Sequence, residues 1–427
     1  MGVDKRSCAH ESLPAVAGQR SFASTITYIL FLLYLCSVPL DTIAPLLSNL
    51  LAVGMIGMLT SRLMFDIQSV TVSRTQLEAL VVLFLTLVLT LLSTAIAERP
   101  ILHITRIKSV VLFIALAIVS ILELNSRKRL FEVLGVITAL TVIIAVLSAL
   151  NLFIELPFSH STGPARSLGP IAFFTPRTLG VKMAYGEYGI LAITAFAYVA
   201  MTVLRPVALH GEANKRRTTL ALGALVAILA GIYIGQSRST IIAFGAVSAF
   251  GLFAGAVHPD ARIRAARRSI PAGAILSGIV VALVNVRTII SGFLDANAMS
   301  ASSRLSQYSF AVELMRERPL QGWGWGYFKL SYGTEFTVHN QWLLIGVSIG
   351  VPALLLWVYL FVRLALAMVR LAFSADLQGK ALAMVGTAAV VGGTVELALY
   401  PGFDDVSAIL VGILVGIVSA SNMNTTA

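Results

Sequence analysis

Residues 318–328 read RPLQGWGWGYF, and these residue types admit more than one chemistry. Gly322, Gly324 and Gly326 are spaced like part of a phosphate-cradling loop, where backbone N–H groups approach a nucleotide. The match is only G-x-G-x-G and no strand precedes it, so the nucleotide reading is weak. Between and after the glycines stand Trp323, Trp325, Tyr327 and Phe328. Planar rings pack on the C–H face of a pyranose, and they equally suit the aromatic belt at a membrane boundary. His339, a side chain able to bind or move a proton, follows soon after. A separate set, Asp404, Asp405 and Glu396, has the oxygen ligands that Mg²⁺ or Mn²⁺ takes, although charged turn residues are commoner than metal ligands.

Which chemistry applies depends on the side of a membrane that the stretch faces. The 427-residue chain is 57% hydrophobic and 12% charged, with a mean hydropathy of +0.88. That charge is too sparse to cover a soluble protein of this length. Uncharged runs occupy 21–40, 42–61, 79–97, 133–154, 218–237, 239–257, 269–286, 340–362 and 406–427. Each is near the roughly 20 residues that a helix needs to cross hydrocarbon. Weaker runs at 188–204, about 105–124 and 381–400 bring the total to about twelve transmembrane helices. The expected fold is therefore an all-α polytopic membrane protein, with 1–427 forming a single integral membrane domain.

Orientation follows from the basic residues. With both termini cytoplasmic, 19 of the 31 Lys and Arg fall on the inner side. Of the other 12, only Arg99, Arg106, Lys108 and Arg238 lie in short outer connections, which is the asymmetry of the positive-inside rule. The net charge of +11 is thus mainly a topology signal, and no nucleic acid is implied as a partner. The first twenty residues are polar and no cleavage site follows the first apolar run, which reads as a signal anchor. Cys8 falls inside and Cys36 within a span, so the two cannot pair.

Two outer loops are long, at about 155–187 and about 287–339, and long loops are commonly functional. In the second, Leu305, Tyr308, Val312 and Met315 recur at helical spacing. Ser302 or Ser303 can cap the start and Pro319 stops the run. The expectation is a short amphipathic helix lying along the outer membrane face.

RPLQGWGWGYF followed by HNQWLLIGVSIGVPALLLW, with GQSRSTIIAFGAV upstream, resembles the O-antigen ligase and polysaccharide polymerase superfamily. The likeness is specific over about 218–362, with a looser echo in RTLGVKMAYGEYG. It implies a bacterial inner-membrane glycosyltransferase whose donor is a polyprenyl-diphosphate-linked glycan, needing no cofactor, metal or nucleotide sugar. It implies catalytic roles for Arg238, Arg304 and His339. The departing diphosphate gains negative charge, and the always-protonated fork of an Arg suits phosphate. One such donor near a low-dielectric boundary is worth about 10²–10³ in rate. The attacking hydroxyl must lose a proton, and a neutral His that accepts it adds about 10²–10⁴. Arg177 and Lys182 are weaker candidates for the same phosphate. Trp323, Trp325, Tyr327 and Asn340 are candidates for glycan binding. His103 and His160 match nothing in the family pattern, and His10, His210 and His258 face inward.

The implied acceptor is either another lipid-linked repeat unit or a lipid A core. A polymerase of exopolysaccharide or O-antigen is the first reading and an O-antigen ligase the second, because only the acceptor differs. Membrane lipids, a chain-length regulator and a flippase of the same pathway are the implied partners. A transporter or flippase remains a rival class, but it predicts two similar halves and ionisable residues at the bilayer midplane, and neither is evident. An assembly scaffold would leave the outer Arg–Arg–His set unexplained.

Overall fold

The structure, a computed structural model, describes residues 22–37, 45–65, 72–150, 166–168, 171–173, 185–210, 215–235, 240, 242–247, 304–332, 338–374, 377–399 and 405–422. The helices before the first long loop are α1 (Phe22–Ser37), α2 (Pro45–Phe65), α3 (Arg74–Ala95), α4 (Pro100–Glu123) and α5 (Arg127–Leu150). Then come α6 (Tyr185–His210), α7 (Lys215–Gly235), α8 (242–247) and α9 (304–317). The chain closes with α10 (Tyr327–Ser331), α11 (Gln341–Ile349), α12 (Val351–Ser374), α13 (Leu377–Leu399) and α14 (Asp405–Asn422). One detail departs from all-helix. In the first long loop β1 (Arg166–Leu168) and β2 (Ile171–Phe173) pair antiparallel, with Arg166 opposite Phe173.

Among the described residues, five helices are long and apolar enough to cross a membrane: α3, α4, α5, α12 and α13. Shorter apolar helices cover Ser24–Ser37, Tyr188–Ala200, Thr219–Ile232 and Val406–Ser421. The expected span at 269–286 and most of that at 239–257 lie outside the described residues. Leu50, Val53, Phe84, Leu355 and Leu366 point outward, as side chains facing lipid would. In contrast, α14 is buried all round, as its uniformly apolar sequence requires. Hydroxyls inside the apolar helices bond their own preceding turn, as Thr86 does to the Val82 carbonyl and Thr141 to that of Ile137.

One expectation is corrected. The uncharged run 340–362 is not one helix, because Gly350 takes a φ of +106° and separates α11 from α12. His339 therefore precedes a nine-residue half-helix rather than a full span.

The two ends of α4 differ in chemistry. At its C-terminal end the buried Glu123 carboxylate pairs with Arg62 of α2 at 2.7 Å and with Arg129 of α5. Arg129 also lies over the Tyr28 ring of α1, whose hydroxyl donates to Glu132. Four helices are thereby tied at one end, and Arg62 and Arg129 are among the 19 basic residues expected on the inner side. The N-terminal end of α4 meets the glycine-rich segment, about 30 Å away along the helix axis at about 1.5 Å per residue.

Candidate active site

A small core separate from the main one builds the site. Ala311 and Leu314 of α9 meet Phe328, Val338 and Val347, with Tyr308, Met315, Trp323 and Tyr327 around them. This differs from the expected stripe. Tyr308 and Met315 do turn inward, but Leu305 is 67% and Val312 37% exposed, while Gln307, Ala311 and Leu314 are buried. The inward face is rotated by about one residue step, roughly 100°.

The glycines lock the loop onto the end of α11. Gly322, Gly324 and Gly326 have φ of 66°, 93° and 84°, which L side chains avoid. The N–H of Trp323 donates to the Val347 carbonyl at 2.9 Å, and that of Gly324 to the Ser348 carbonyl at 3.0 Å and to Ser93 Oγ at 3.0 Å. Ser93 Oγ in turn donates to the Ser348 carbonyl. A Cβ on Gly322 would sit 2.7 Å from the Ser348 carbonyl, and one on Gly324 would sit 2.9 Å from His103 Nδ1. These amides satisfy helix-end carbonyls and are not turned towards a phosphate, which removes the nucleotide reading.

The aromatic residues divide. Trp325 is only 7% exposed; its Nε1 donates to Ser109 Oγ and its carbonyl lies 2.8 Å from His103 Nδ1. It is a packing residue with no open face for a sugar, contrary to expectation. Trp323 is half-buried, donates from Nε1 to the Leu314 carbonyl, and carries the Arg318 guanidinium 3.9 Å above its ring. Tyr327 lies against it with centroids 4.8 Å apart. Burial, and then a hydrogen bond with Tyr332, push the Tyr327 phenol up to about 12. Arg318 also pairs with Glu98 at 2.9 Å.

The charge of Arg304 reaches His339. Arg304 opens the described part of α9, and its charge acts on both Tyr308 and His339. Burial first, and the Arg304 charge second, hold the His339 imidazole below its ordinary 6.5. The N-terminal end of α11, towards which His339 sits, disfavours a cation in the same sense. The Tyr308 hydroxyl donates to the His339 carbonyl at 2.9 Å and so fixes the backbone that carries the imidazole. Tyr308 is a positioning residue that the sequence showed only as part of an apolar stripe. Asn340 caps α11, its Oδ1 accepting from the Leu343 N–H at 3.0 Å.

Arg238, Arg177 and Lys182 lie outside the described residues. So does Asp404, while Asp405 opens α14 and Glu396 is buried in α13. Among the described residues no three His, Cys, Asp or Glu gather as metal ligands would. Sequence reasoning missed His103, which is 4% exposed and joins α4 to the glycine-rich loop.

A family model described as O-antigen ligase matches residues 223–358. The match supports the O-antigen ligase and polymerase superfamily for that stretch, which contains Arg238, Arg304, Trp323, Trp325, Tyr327, His339 and Asn340. Arg177 and Lys182 fall before it. No curated protein matches the chain.

Proposed function

We propose that the protein is a membrane glycosyltransferase that moves a glycan from a polyprenyl-diphosphate carrier to a sugar hydroxyl on the periplasmic face. Its first use is polymerising exopolysaccharide or O-antigen repeat units in the inner membrane. The observation that carries this reading is His339, half-buried, disfavoured as a cation by burial and by Arg304, and held by Tyr308 at the head of a capped half-helix. An imidazole biased towards its neutral form, within reach of a cation's charge, suits a reaction that needs a proton acceptor and an anion clamp.

In the proposed step, an acceptor hydroxyl gives its proton to the free imidazole nitrogen of His339 as its oxygen attacks the anomeric carbon of the donor. The new glycosidic bond forms as the carbon–oxygen bond to the diphosphate breaks. The bonding pair leaves with the diphosphate, whose growing charge is met by Arg304 and Arg238. The anomeric centre inverts. The proton on His339 then passes to water or to the released diphosphate. No metal takes part.

The lock at Arg62, Glu123 and Arg129 and the loop at His103 lie about 30 Å apart along α4, about the thickness of the hydrocarbon core. This supports cytoplasmic termini and an outward site. Single replacement of Arg238, Arg304 and His339 by Ala, at equal protein level, tests the reading. Loss of polymer by about 10²-fold or more in each is expected, and normal polymer from all three ends the proposal. A deletion strain that accumulates single repeats on the carrier marks a polymerase, whereas polymer on the carrier marks a ligase. Synthesis that stops in EDTA refutes the metal-free step.

A further inference from the structure

A cavity of about 240 Å³ lies between the α3–α4 connection and the glycine-rich loop, bordered by Glu98, Arg99, His103, Trp323, Tyr327 and Ser331. Its α3–α4 wall precedes the stretch matched by the family model. We propose that this cavity binds one neutral sugar ring of the glycan, through residues of the α3–α4 connection that have no assigned role. The inference rests on the glycosyltransferase reading and adds a recognition subsite to it.

The chemistry of the walls selects the ligand. A backbone carbonyl can only accept, so the contact of His103 Nδ1 with the Trp325 carbonyl requires the Nδ1–H form. The other ring nitrogen, Nε2, belongs to a side chain that borders the cavity and can exchange a hydrogen bond with a hydroxyl there. The Glu98 carboxylate accepts, Arg99 donates and Ser331 does both. Trp323 and Tyr327 add apolar surface, held in place by Arg318 and the Leu314 carbonyl.

Glu98, Arg99 and Ser331 present acceptors and donors together, so neither charge sign is selected and a neutral ligand with both kinds of group is matched. A purely apolar ligand would displace water from the charged groups of Glu98 and Arg99, which is costly. A polyol with hydroxyls at its rim and a C–H face satisfies both kinds of wall. The volume is below the about 300–1,000 Å³ of sites for drug-sized ligands, so one ring fits and an oligosaccharide does not. Trp323 and Tyr327 also belong to the small core that holds Tyr308 and, through it, His339. The cavity thus shares Trp323 and Tyr327 with that core and has neither Arg304 nor His339 in its lining.

The test uses full-length protein in lipid nanodiscs and, as probe, the repeat oligosaccharide released by mild acid from the host's own polysaccharide. Binding is measured by calorimetry for wild type, His339→Ala, Glu98→Gln, His103→Asn and His103→Gln. Asn at 103 reproduces the Nδ1–H donor to Trp325 and loses the Nε2 group at the cavity, whereas Gln loses the donor position. The expected result is that His339→Ala binds as wild type does, while His103→Asn and Glu98→Gln each bind about tenfold more weakly. In turnover they raise KM and leave kcat nearly unchanged. Undiminished binding by both variants, or no binding by wild type, overturns the subsite. If His103→Asn does not fold, Glu98→Gln alone decides. Loss of polymer in His339→Ala with undiminished binding in Glu98→Gln removes the subsite and spares the reaction. Normal polymer in His339→Ala with weakened binding in Glu98→Gln does the reverse.

Discussion

Replacing Gly322 by Ala tests how the glycine-rich loop is held. Its φ of +66° costs an L residue about 1–2 kcal/mol. The new Cβ would lie 2.7 Å from both the carbonyl carbon and the oxygen of Ser348 and 2.8 Å from the Gly350 nitrogen. All three are backbone atoms, so the strain cannot be relieved by turning a side chain. The loop must lift, and two hydrogen bonds go with it: Trp323 N–H to Val347 and Gly324 N–H to Ser348. At about 1 kcal/mol each, these bring the local cost to about 3–4 kcal/mol. That corresponds to about 10²–10³ in the opening equilibrium. Hydrogen exchange of the Trp323 and Gly324 amides reads this quantity directly and should accelerate by that factor. Polymer synthesis should fall with it, since the same small core carries Tyr308 beneath His339. Gly223→Ala is the control, because a Cβ there meets nothing within 4 Å. Wild-type exchange in Gly322→Ala, or equal acceleration in Gly223→Ala, refutes the account.

Five further outcomes are expected. Synthesis should fall as pH drops through a midpoint below 6.5, because burial and Arg304 lower the His339 pKa and its neutral form does the work. Arg304→Gln should move that acidic limb to higher pH as well as slow the reaction; a pH–rate profile with an unmoved limb contradicts this. Glu123→Ala leaves Arg62 and Arg129 buried without their carboxylate and should cost about 3–5 kcal/mol. It would appear as a lower melting temperature in detergent, and an unchanged melt argues against the lock. Trp325→Ala should destabilise the fold by about 3–5 kcal/mol, as loss of a buried Trp does. Trp323→Ala should chiefly raise KM for the glycan, and kinetics and melting curves on the two variants separate these effects.

The sequence by itself determined that the chain is built of apolar helices, because a run of uncharged residues can satisfy its backbone only internally. It also carried the likeness to the O-antigen ligase family over the stretch that holds Arg304, the GWGWGYF segment and His339, since residue types at fixed spacing carry a likeness whatever their packing. It did not determine which face of α9 turns inward. Leu305 and Val312 are as apolar as Leu314, and in a membrane protein apolar residues face lipid as readily as core. Nor did it separate Trp323 from Trp325, two residues apart and alike in type, of which one borders a cavity and the other packs beneath His103. The break at Gly350 was hidden within an uncharged run, because hydropathy does not register backbone dihedrals. His103 had no signal at all. Its importance arises from contact with Trp325, 222 residues further along the chain, and only the packing of α4 against the loop brings them together. Local pattern thus decided the elements, and long-range contact decided which side chains border the cavity.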